Sequence, residues 1–248
     1  IWSRLIMLDG REIALAEGDA CVVPAPSFPR YAVSTRLRGA TPVRAALDAD
    51  GACDADATRA AIDPRTRLVF VCTPNPPSGG MMAEDALARI VELVPTDTLL
   101  VIDEAYHEFA RHAGGPDILA IVARRRGPWV VLRTFSKAYG LGAMRVGYAL
   151  CGSPDVAEAL RRAKLQFNVT GLSQVAALAA LIFPVCSAVA AAQPSPERGT
   201  VFIGAAGFAA IEKAAETSGL GNDDDAGGTV AGGMLSVGVL LTPRVSAR

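Results

Sequence analysis

The chain has 248 residues, enough for one large domain or for one domain and part of another. Because 51% of the residues are hydrophobic and 20% are charged, the composition excludes global disorder and predicts a sizeable core. The formal net charge of −1 gives no electrostatic reason to expect nucleic acid or an anionic membrane as a partner.

The cysteine, histidine and hydropathy patterns indicate the cellular compartment and give no sign of a metal site or a membrane span. The five cysteines are scattered, odd in number and without a C-x-x-C pair, which indicates a reducing compartment rather than a disulfide framework or zinc site. The two histidines, His107 and His112, are too few to support a metal site by themselves. The N-terminus does not resemble a secretory signal, and no apolar run approaches the roughly 20 residues that span a bilayer. We therefore expect a soluble, cytoplasmic protein without a metal or membrane partner.

Short apolar runs alternate with amphipathic stretches along most of the chain. In chain order, the patterns predict a strand at 20–24, a helix at 28–38, a strand at 68–73, a helix at 84–93, a strand at 99–103, a helix at 118–126, strands at 130–133 and 146–151, and helices at 155–167 and 171–183. The continuous apolar runs are typical of strands buried on both faces. This alternation predicts an α/β fold with a mostly parallel sheet covered by helices.

Distinctive side chains follow four of the predicted strands. In open α/β sheets, ligands bind beyond the carboxyl ends of the strands, so these side chains are expected at one edge. The four segments are Pro24-Ala25-Pro26-Ser27-Phe28, Thr73-Pro74-Asn75, Asp103-Glu104-Ala105-Tyr106 and Arg133-Thr134-Phe135-Ser136-Lys137.

The segment at 133–148, RTFSKAYGLGAMRVGY, carries the most specific signal. Lys137 follows a predicted buried strand, a position suited to forming a Schiff base. In general, burial and nearby cations lower the pKa of a lysine and free its amine to attack a carbonyl. Thr134 and Ser136 offer hydroxyl donors to a phosphate, and Arg145 adds a charge-assisted contact. The alternative interpretation is a surface loop whose charged side chains are merely solvated.

This segment resembles the cofactor-lysine segment of fold-type I pyridoxal-phosphate (PLP) enzymes in the aminotransferase class I/II group. The resemblance implies a three-layer α/β/α large domain and PLP as the cofactor. It implies that Lys137 holds PLP as a Schiff base and then moves a proton between the substrate Cα and the cofactor C4′. Thr134, Ser136 and Arg145 match the family's phosphate-binding positions.

The stretch Asp103-Glu104-Ala105-Tyr106 resembles the family's D-E-A-Y motif. A carboxylate at the end of a buried strand can pair with a protonated pyridine nitrogen, and the resemblance gives this role to Asp103. Tyr106 would then hydrogen-bond the phenolic oxygen of the cofactor. The alternative for the acidic pair Asp103-Glu104 is an exposed cap at the end of the strand or a metal ligand. Glu104 is expected to support the fold rather than the chemistry. His107 as a general base is a lesser hypothesis, since the lysine already fills that role.

Two further segments resemble the family less closely. In CTPNPPSG, at 72–79, Pro76 stands where an asparagine is frequent, so Asn75 is the candidate contact to the phenolic oxygen. A simple turn-rich loop is the alternative. Phe28 falls at the position of the ring that stacks on the pyridine, and Tyr31, one helical turn on, is assigned to the core.

The resemblance covers 18–181, so we expect a PLP-binding large domain at 1–181 that is incomplete at its N-terminus. By the family pattern, a phosphate-binding glycine loop lies upstream of Ile1, and the context of the substrate-binding arginine is not found at 182–248. Residues 182–248 are instead predicted to be an atypical low-complexity tail in place of the small domain. A shifted reading frame is one hypothesis for this change, which sequencing the coding DNA would test.

Within the family, the segments D-E-A-Y-H-E-F and S-K-A-Y-G-L most resemble those of the histidinol-phosphate aminotransferases. That resemblance implies amino transfer between L-histidinol phosphate and 2-oxoglutarate in histidine biosynthesis, by a homodimer if the protein is complete. The alternatives are a related decarboxylase of a phosphorylated amino acid and an inactive fragment of the family. A dinucleotide-binding fold is disfavoured, since no G-x-G-x-x-G follows a predicted strand.

Overall fold

The computed structural model describes residues 15–163, 167–192 and 239–241. Within these residues the strands form one sheet: β1 (Ala20–Ala25), β2 (Thr41–Ala46), β3 (Thr66–Cys72), β4 (Leu99–Asp103), β5 (Trp129–Thr134), β6 (Gly147–Cys151) and β7 (Val239–Leu241). Their order across the sheet is β2-β1-β3-β4-β5-β6-β7. All neighbouring strands run parallel except β5 and β6, which are antiparallel.

Helices connect the strands on both faces of the sheet. They are α1 (Arg30–Leu37), α2 (Ala55–Ala61), α3 (Glu84–Leu93), α4 (His107–His112), α5 (Ile118–Val122), α6 (Pro154–Ala163) and α7 (Gly171–Ala192). Two of the helices begin at aspartates that act as N-caps: Asp54 accepts a hydrogen bond from the Ala57 N–H, and Asp117 accepts from the Leu119 and Ala120 N–H groups. A single 3₁₀ turn at Gly142–Met144 lies between β5 and β6.

The sheet is buried on both faces, which makes the domain three-layered. Along β3, Val69 and Val71 pack into one apolar cluster, while Leu68 and Phe70 pack into another. The first cluster includes residues of α3 and α5, and the second includes residues of α1 and α6. The expected α/β/α fold with a mostly parallel sheet is therefore confirmed.

The structure corrects several element boundaries. Strand β2 and helices α2 and α4 were not predicted, and the helix predicted at 118–126 ends at Val122. The helix predicted at 155–167 is described to Ala163, and 164–166 lie outside the described residues. Helix α7 continues to Ala192, across the expected domain boundary after Leu181. Most of the expected tail, at 193–238 and 242–248, also lies outside the described residues, so the division into domain and tail stays a prediction.

Membrane crossing requires a helix that is both long and apolar. Among the helices that the structure describes, none combines enough length with enough apolar character to span a bilayer.

Candidate active site

A cavity of about 300 Å³ opens at the edge of the sheet where β3, β4 and β5 end. Its lining contains seven of the eight residues that the sequence predicts for the site: Phe28, Asp103, Tyr106, Thr134, Ser136, Lys137 and Arg145. The strand register explains this convergence, because Cys72 pairs with Asp103 and Asp103 pairs with Leu132 across three adjacent parallel strands. The segments after these strands therefore meet at one edge, as the sequence predicts.

Lys137 follows β5 and lies beside the ring of Tyr106. Its Nζ is 5.1 Å from the centroid of that ring, within the range of a cation–π contact. The side chain itself is exposed, although the strand that precedes it is buried. The amine is therefore oriented by an aromatic face rather than enclosed by apolar groups.

Asp103 ends β4, and two donors orient its carboxyl group. The Tyr31 hydroxyl donates to Oδ2 at 2.7 Å, and the Ala105 N–H donates to Oδ1 at 3.0 Å. Burial raises the pKa of the Asp103 carboxyl above its ordinary value, although these two hydrogen bonds act in the opposite direction. A cation within contact distance of this carboxylate would favour its ionised form.

The hydroxyl and guanidinium groups expected to bind a phosphate occupy the loop after β5. The Thr134 hydroxyl accepts from the Ser136 N–H at 3.1 Å and lies 3.4 Å from the Val146 carbonyl oxygen. Arg145 is exposed and has a left-handed backbone with φ of 53°, which is uncommon for a residue other than glycine. Its guanidinium donates to the Gly142 carbonyl. These groups border the same cavity as Lys137, so they are available to an anionic ligand there.

Phe28 also lines the cavity, in the loop between β1 and α1. Its ring is 40% exposed and meets the ring of Tyr31 edge-on, at 5.5 Å between centroids and 79° between planes. A partly exposed ring at the wall of a cavity is available to stack on a planar ligand.

Asn75 is the one predicted residue that does not line this cavity. It borders a neighbouring cavity of about 410 Å³, which shares Tyr106 and Pro76 with the first. Its Nδ2 group donates to the Pro26 carbonyl at 3.0 Å and to the Ser78 hydroxyl at 2.9 Å. Both amide N–H bonds are therefore engaged in hydrogen bonds to neighbouring loops. Its Oδ1 is buried and has no hydrogen-bond partner among the described residues. A contact from Asn75 to the cofactor stays a prediction.

Behind the cavity, Glu104 forms a buried ion-pair cluster that the sequence did not predict. The Arg133 Nε donates to Glu104 Oε2 at 2.9 Å, and His107 Nδ1 lies 3.0 Å from Oε1. Burial alone would lower the pKa of Arg133, but the Glu104 carboxylate and the adjacent Tyr148 outweigh it, so the pKa is raised. Glu104 thus supports the fold, as expected, and His107 is paired with Glu104.

Tyr31 is the other functional candidate that the sequence pattern did not reveal. It is 1% exposed, as expected for a core residue, yet its hydroxyl reaches the carboxylate of Asp103. A buried tyrosine normally has a partner for its hydroxyl, so tyrosine rather than phenylalanine at this position was the available signal. The partner lies 72 residues away in sequence and could not be named from the pattern.

Metal ligation would require several donor side chains close together. The described part of the chain contains no group of three or more His, Cys, Asp or Glu side chains arranged to hold an ion.

Comparisons with known proteins identify the family of the chain. The profile of the family described as aminotransferase class I and II matches residues 10–186. An aromatic amino acid aminotransferase of Mycolicibacterium vanbaalenii is 46% identical over 170 residues, covering 68% of this chain and 48% of that protein. One from Rhodococcus jostii is 46% identical over 166 residues, covering 66% of this chain and 45% of that protein. The chain thus spans about half the length of the curated relatives it matches.

Solved structures give the same fold. Histidinol-phosphate aminotransferase from Sinorhizobium meliloti, in complex with pyridoxal-5′-phosphate, has a TM-score of 0.66 at 23% identity, covering 88% of this chain and 53% of that one. Alanine aminotransferase from Pyrococcus furiosus has a TM-score of 0.62 at 27% identity, covering 73% of this chain and 47% of that one. From the match of the family profile, the identity to the curated relatives and the shared fold, we conclude that the chain belongs to the aminotransferase class I and II family.

Proposed function

We propose that the protein binds pyridoxal phosphate in the cavity at the sheet edge and transfers amino groups between an amino donor and a 2-oxo acid. The observation that carries this proposal is the convergence of three kinds of group in one cavity. They are the Lys137 amine, the Asp103 carboxylate, and the hydroxyl and guanidinium groups of Thr134, Ser136 and Arg145. Each kind of group matches a different part of the cofactor, and the family of the chain supports pyridoxal phosphate as that cofactor.

The residues present fit this cofactor. Burial raises the pKa of Asp103, so this carboxylate gains from a cationic partner such as a protonated ring nitrogen. The two hydroxyls and Arg145 supply donors for a phosphate, and Phe28 offers a ring face. The volume of about 300 Å³ lies at the lower end of the range for small-molecule sites.

The roles of the side chains follow from this placement. When bound, pyridoxal phosphate supplies an aldehyde that accepts amino groups and a ring that withdraws electrons. Asp103 keeps the proton on the ring nitrogen, which preserves that electron-withdrawing character. Thr134, Ser136 and Arg145 hold the phosphate. Lys137 is the amine that anchors the aldehyde and moves the proton at the substrate Cα.

Tyr106 and Asn75 are proposed to contact the phenolic oxygen. Tyr106 borders both cavities, and its ring lies beside the Lys137 amine. Asn75 would have to release one of its two present acceptors to donate to a ligand.

The amino donor we propose first is an aromatic amino acid, because the relatives at about 46% identity are named aromatic amino acid aminotransferases. L-histidinol phosphate is the second candidate. It is favoured by the D-E-A-Y-H-E-F and S-K-A-Y-G-L segments and by the fold shared with the Sinorhizobium meliloti enzyme. We propose 2-oxoglutarate as the acceptor, and a cytoplasmic homodimer as the assembly of the whole protein.

A donor screen tests the proposal. The chain is loaded with pyridoxal phosphate and given 2-oxoglutarate with phenylalanine, tyrosine or L-histidinol phosphate, and glutamate formation is measured. We expect the fastest turnover with the aromatic amino acids and a loss of at least about 100-fold in Lys137→Ala, the usual contribution of a general base. Turnover that survives in Lys137→Ala would contradict the proposal. Carbon dioxide release without glutamate would support the decarboxylase alternative, and no turnover with any donor would support an inactive fragment.

A further inference from the structure

Tyr31 connects two residues of the candidate site, Asp103 and Phe28, with the hydrophobic core through one side chain. Its hydroxyl donates to Asp103 Oδ2 at 2.7 Å. One face of its ring stacks on Phe70, with 4.4 Å between centroids and 17° between planes. The ring also meets the edge of Phe28 at 5.5 Å between centroids. The Thr35 hydroxyl donates to the Tyr31 carbonyl at 2.8 Å, so the turn of α1 that carries Tyr31 is held as well.

The hydrogen bonds of Asp103 leave room for a further donor. An ionised carboxylate has about four acceptor positions, and this one uses two of them, one on each oxygen. The two donors come from different elements, Tyr31 from α1 and Ala105 from the segment after β4. A side chain fixed at both oxygens cannot rotate freely, so its remaining acceptor positions keep a set direction.

We propose that Tyr31 is a positioning residue of this site, whose hydroxyl favours the ionised form of the Asp103 carboxylate and orients it towards a cationic ring nitrogen in the cavity. The identity of that cation rests on the proposed function, whereas the contact between Tyr31 and Asp103 does not. Because the same ring touches Phe28, Tyr31 also fixes the distance between the carboxylate and the ring that would stack on the ligand.

The groups around Asp103 determine how much its ionised form depends on the hydroxyl of Tyr31. Tyr31 from α1 and Cys72 from β3 face the carboxylate, and Glu104 follows it in sequence. Burial, together with the nearby Asp103 carboxylate, raises the pKa of Tyr31 well above its ordinary value, so Tyr31 remains a neutral donor. The cations of the cavity lining are Arg133, Lys137 and Arg145, and the first of these is already paired with Glu104.

The test compares Tyr31→Phe with Tyr148→Phe in the full chain. Tyr148→Phe removes a hydroxyl from a tyrosine of β6, which lies next to Arg133 rather than Asp103. Aspartate labelled with ¹³C at Cγ is titrated by NMR without cofactor, and Asp103→Asn identifies the resonance of Asp103. We expect Tyr31→Phe to raise the titration midpoint of Asp103 by about one pH unit, a tenfold change in ionisation. Tyr148→Phe should leave it unchanged.

The affinity for pyridoxal phosphate gives a second readout. Protonation of Asp103 removes the partner of the ring nitrogen, so affinity should fall on the acid side, and this fall should shift upward by a similar amount in Tyr31→Phe. An unchanged midpoint for Asp103 in Tyr31→Phe would overturn the inference and leave Tyr31 as a packing residue. A shifted midpoint in a chain that does not bind the cofactor would support the inference and overturn the proposed function.

The wild-type chain provides a measurement that does not depend on folding of Tyr31→Phe. If the hydroxyl is bonded to the carboxylate, the ¹³Cζ resonance of Tyr31 should change at the pH where Asp103 titrates. That change should be absent in Asp103→Asn. A ¹³Cζ resonance of Tyr31 that stays unchanged while Asp103 titrates would overturn the inference.

Discussion

The carboxyl group of Asp103 ends β4 between two donors, the Tyr31 hydroxyl and the Ala105 N–H. Burial raises its pKa, which means that the folded chain without a cationic partner favours the protonated form more than the unfolded chain does. The residue is thus better matched to a cationic ligand than to the buried surroundings alone. Burial of this carboxylate therefore costs stability unless a cation is bound beside it.

The pH dependence of stability should show this cost. Because the pKa of Asp103 is raised in the folded state, the wild-type chain loses stability as pH rises through the interval between the unfolded and folded pKa values. Asp103→Asn does not titrate there, so its stability relative to wild type should increase as the pH rises through the ordinary pKa of an aspartate towards the raised folded pKa. The gain is about 1.4 kcal/mol for each unit by which the folded pKa exceeds the unfolded one. Urea denaturation of both chains without cofactor measures it, and a relative stability that falls with pH would contradict the account.

Among the elements, Arg125 holds the junction between α3, β4 and β5. This arginine is 8% exposed and follows α5. Its guanidinium donates to five carbonyl oxygens, those of Val91, Val94, Pro95, Thr98 and Pro128, at distances of 2.7 to 3.3 Å. Carbonyls at the C-terminus of a helix lack partners within the helix, so this side chain satisfies groups that α3 leaves open. Burial lowers the pKa of Arg125, yet every N–H bond has an acceptor.

Substitution of Arg125 should therefore reduce stability without changing the site. The ammonium of Arg125→Lys has three donors in place of five, and each buried carbonyl left without a partner costs about 1–3 kcal/mol. We expect a loss of about 3 kcal/mol in the free energy of unfolding, measured by urea denaturation. The matched control is Arg124→Lys at the exposed neighbouring position, expected within about 0.5 kcal/mol of wild type. Equal stability of the two variants would contradict this account.

The strands were predictable to the extent that burial marks them in the sequence. Strands β3, β4 and β5 are buried on both faces, so they read as continuous apolar runs and are found within two residues of their observed bounds. Strand β2 lies at the edge of the sheet, and its sequence TPVRAA contains a proline and an exposed arginine. An edge strand can be polar on one side, which is why no apolar run marked it.

The candidate site was predictable where its residues follow a strand in one short segment. Asp103, Thr134 and Lys137 are of this kind, and parallel strands bring their segments together. The hydrogen bond from Tyr31 and the ion pair of Arg133 join residues 72 and 29 positions apart, and no local pattern reports such contacts. The exposure of Lys137 likewise depends on the tertiary structure, so no local pattern reports it.

For the whole molecule, all the candidate site residues come from one α/β/α domain, between Phe28 and Arg145. The domain places these groups at the sheet edge where ligands bind in this class of fold. The chain spans about half of its curated relatives. Whether this domain holds pyridoxal phosphate through Lys137 can nevertheless be measured on the chain itself.

The measurement is covalent trapping. The purified chain is incubated with pyridoxal phosphate and reduced with borohydride, and the modified peptides are identified by mass spectrometry. The sequence contains three lysines, Lys137, Lys164 and Lys213, so the position of the adduct is easily read. We expect a pyridoxyl group that is confined to the peptide containing Lys137 and is lost in Lys137→Ala. Labelling spread evenly over the three lysines, or no labelling, would contradict it.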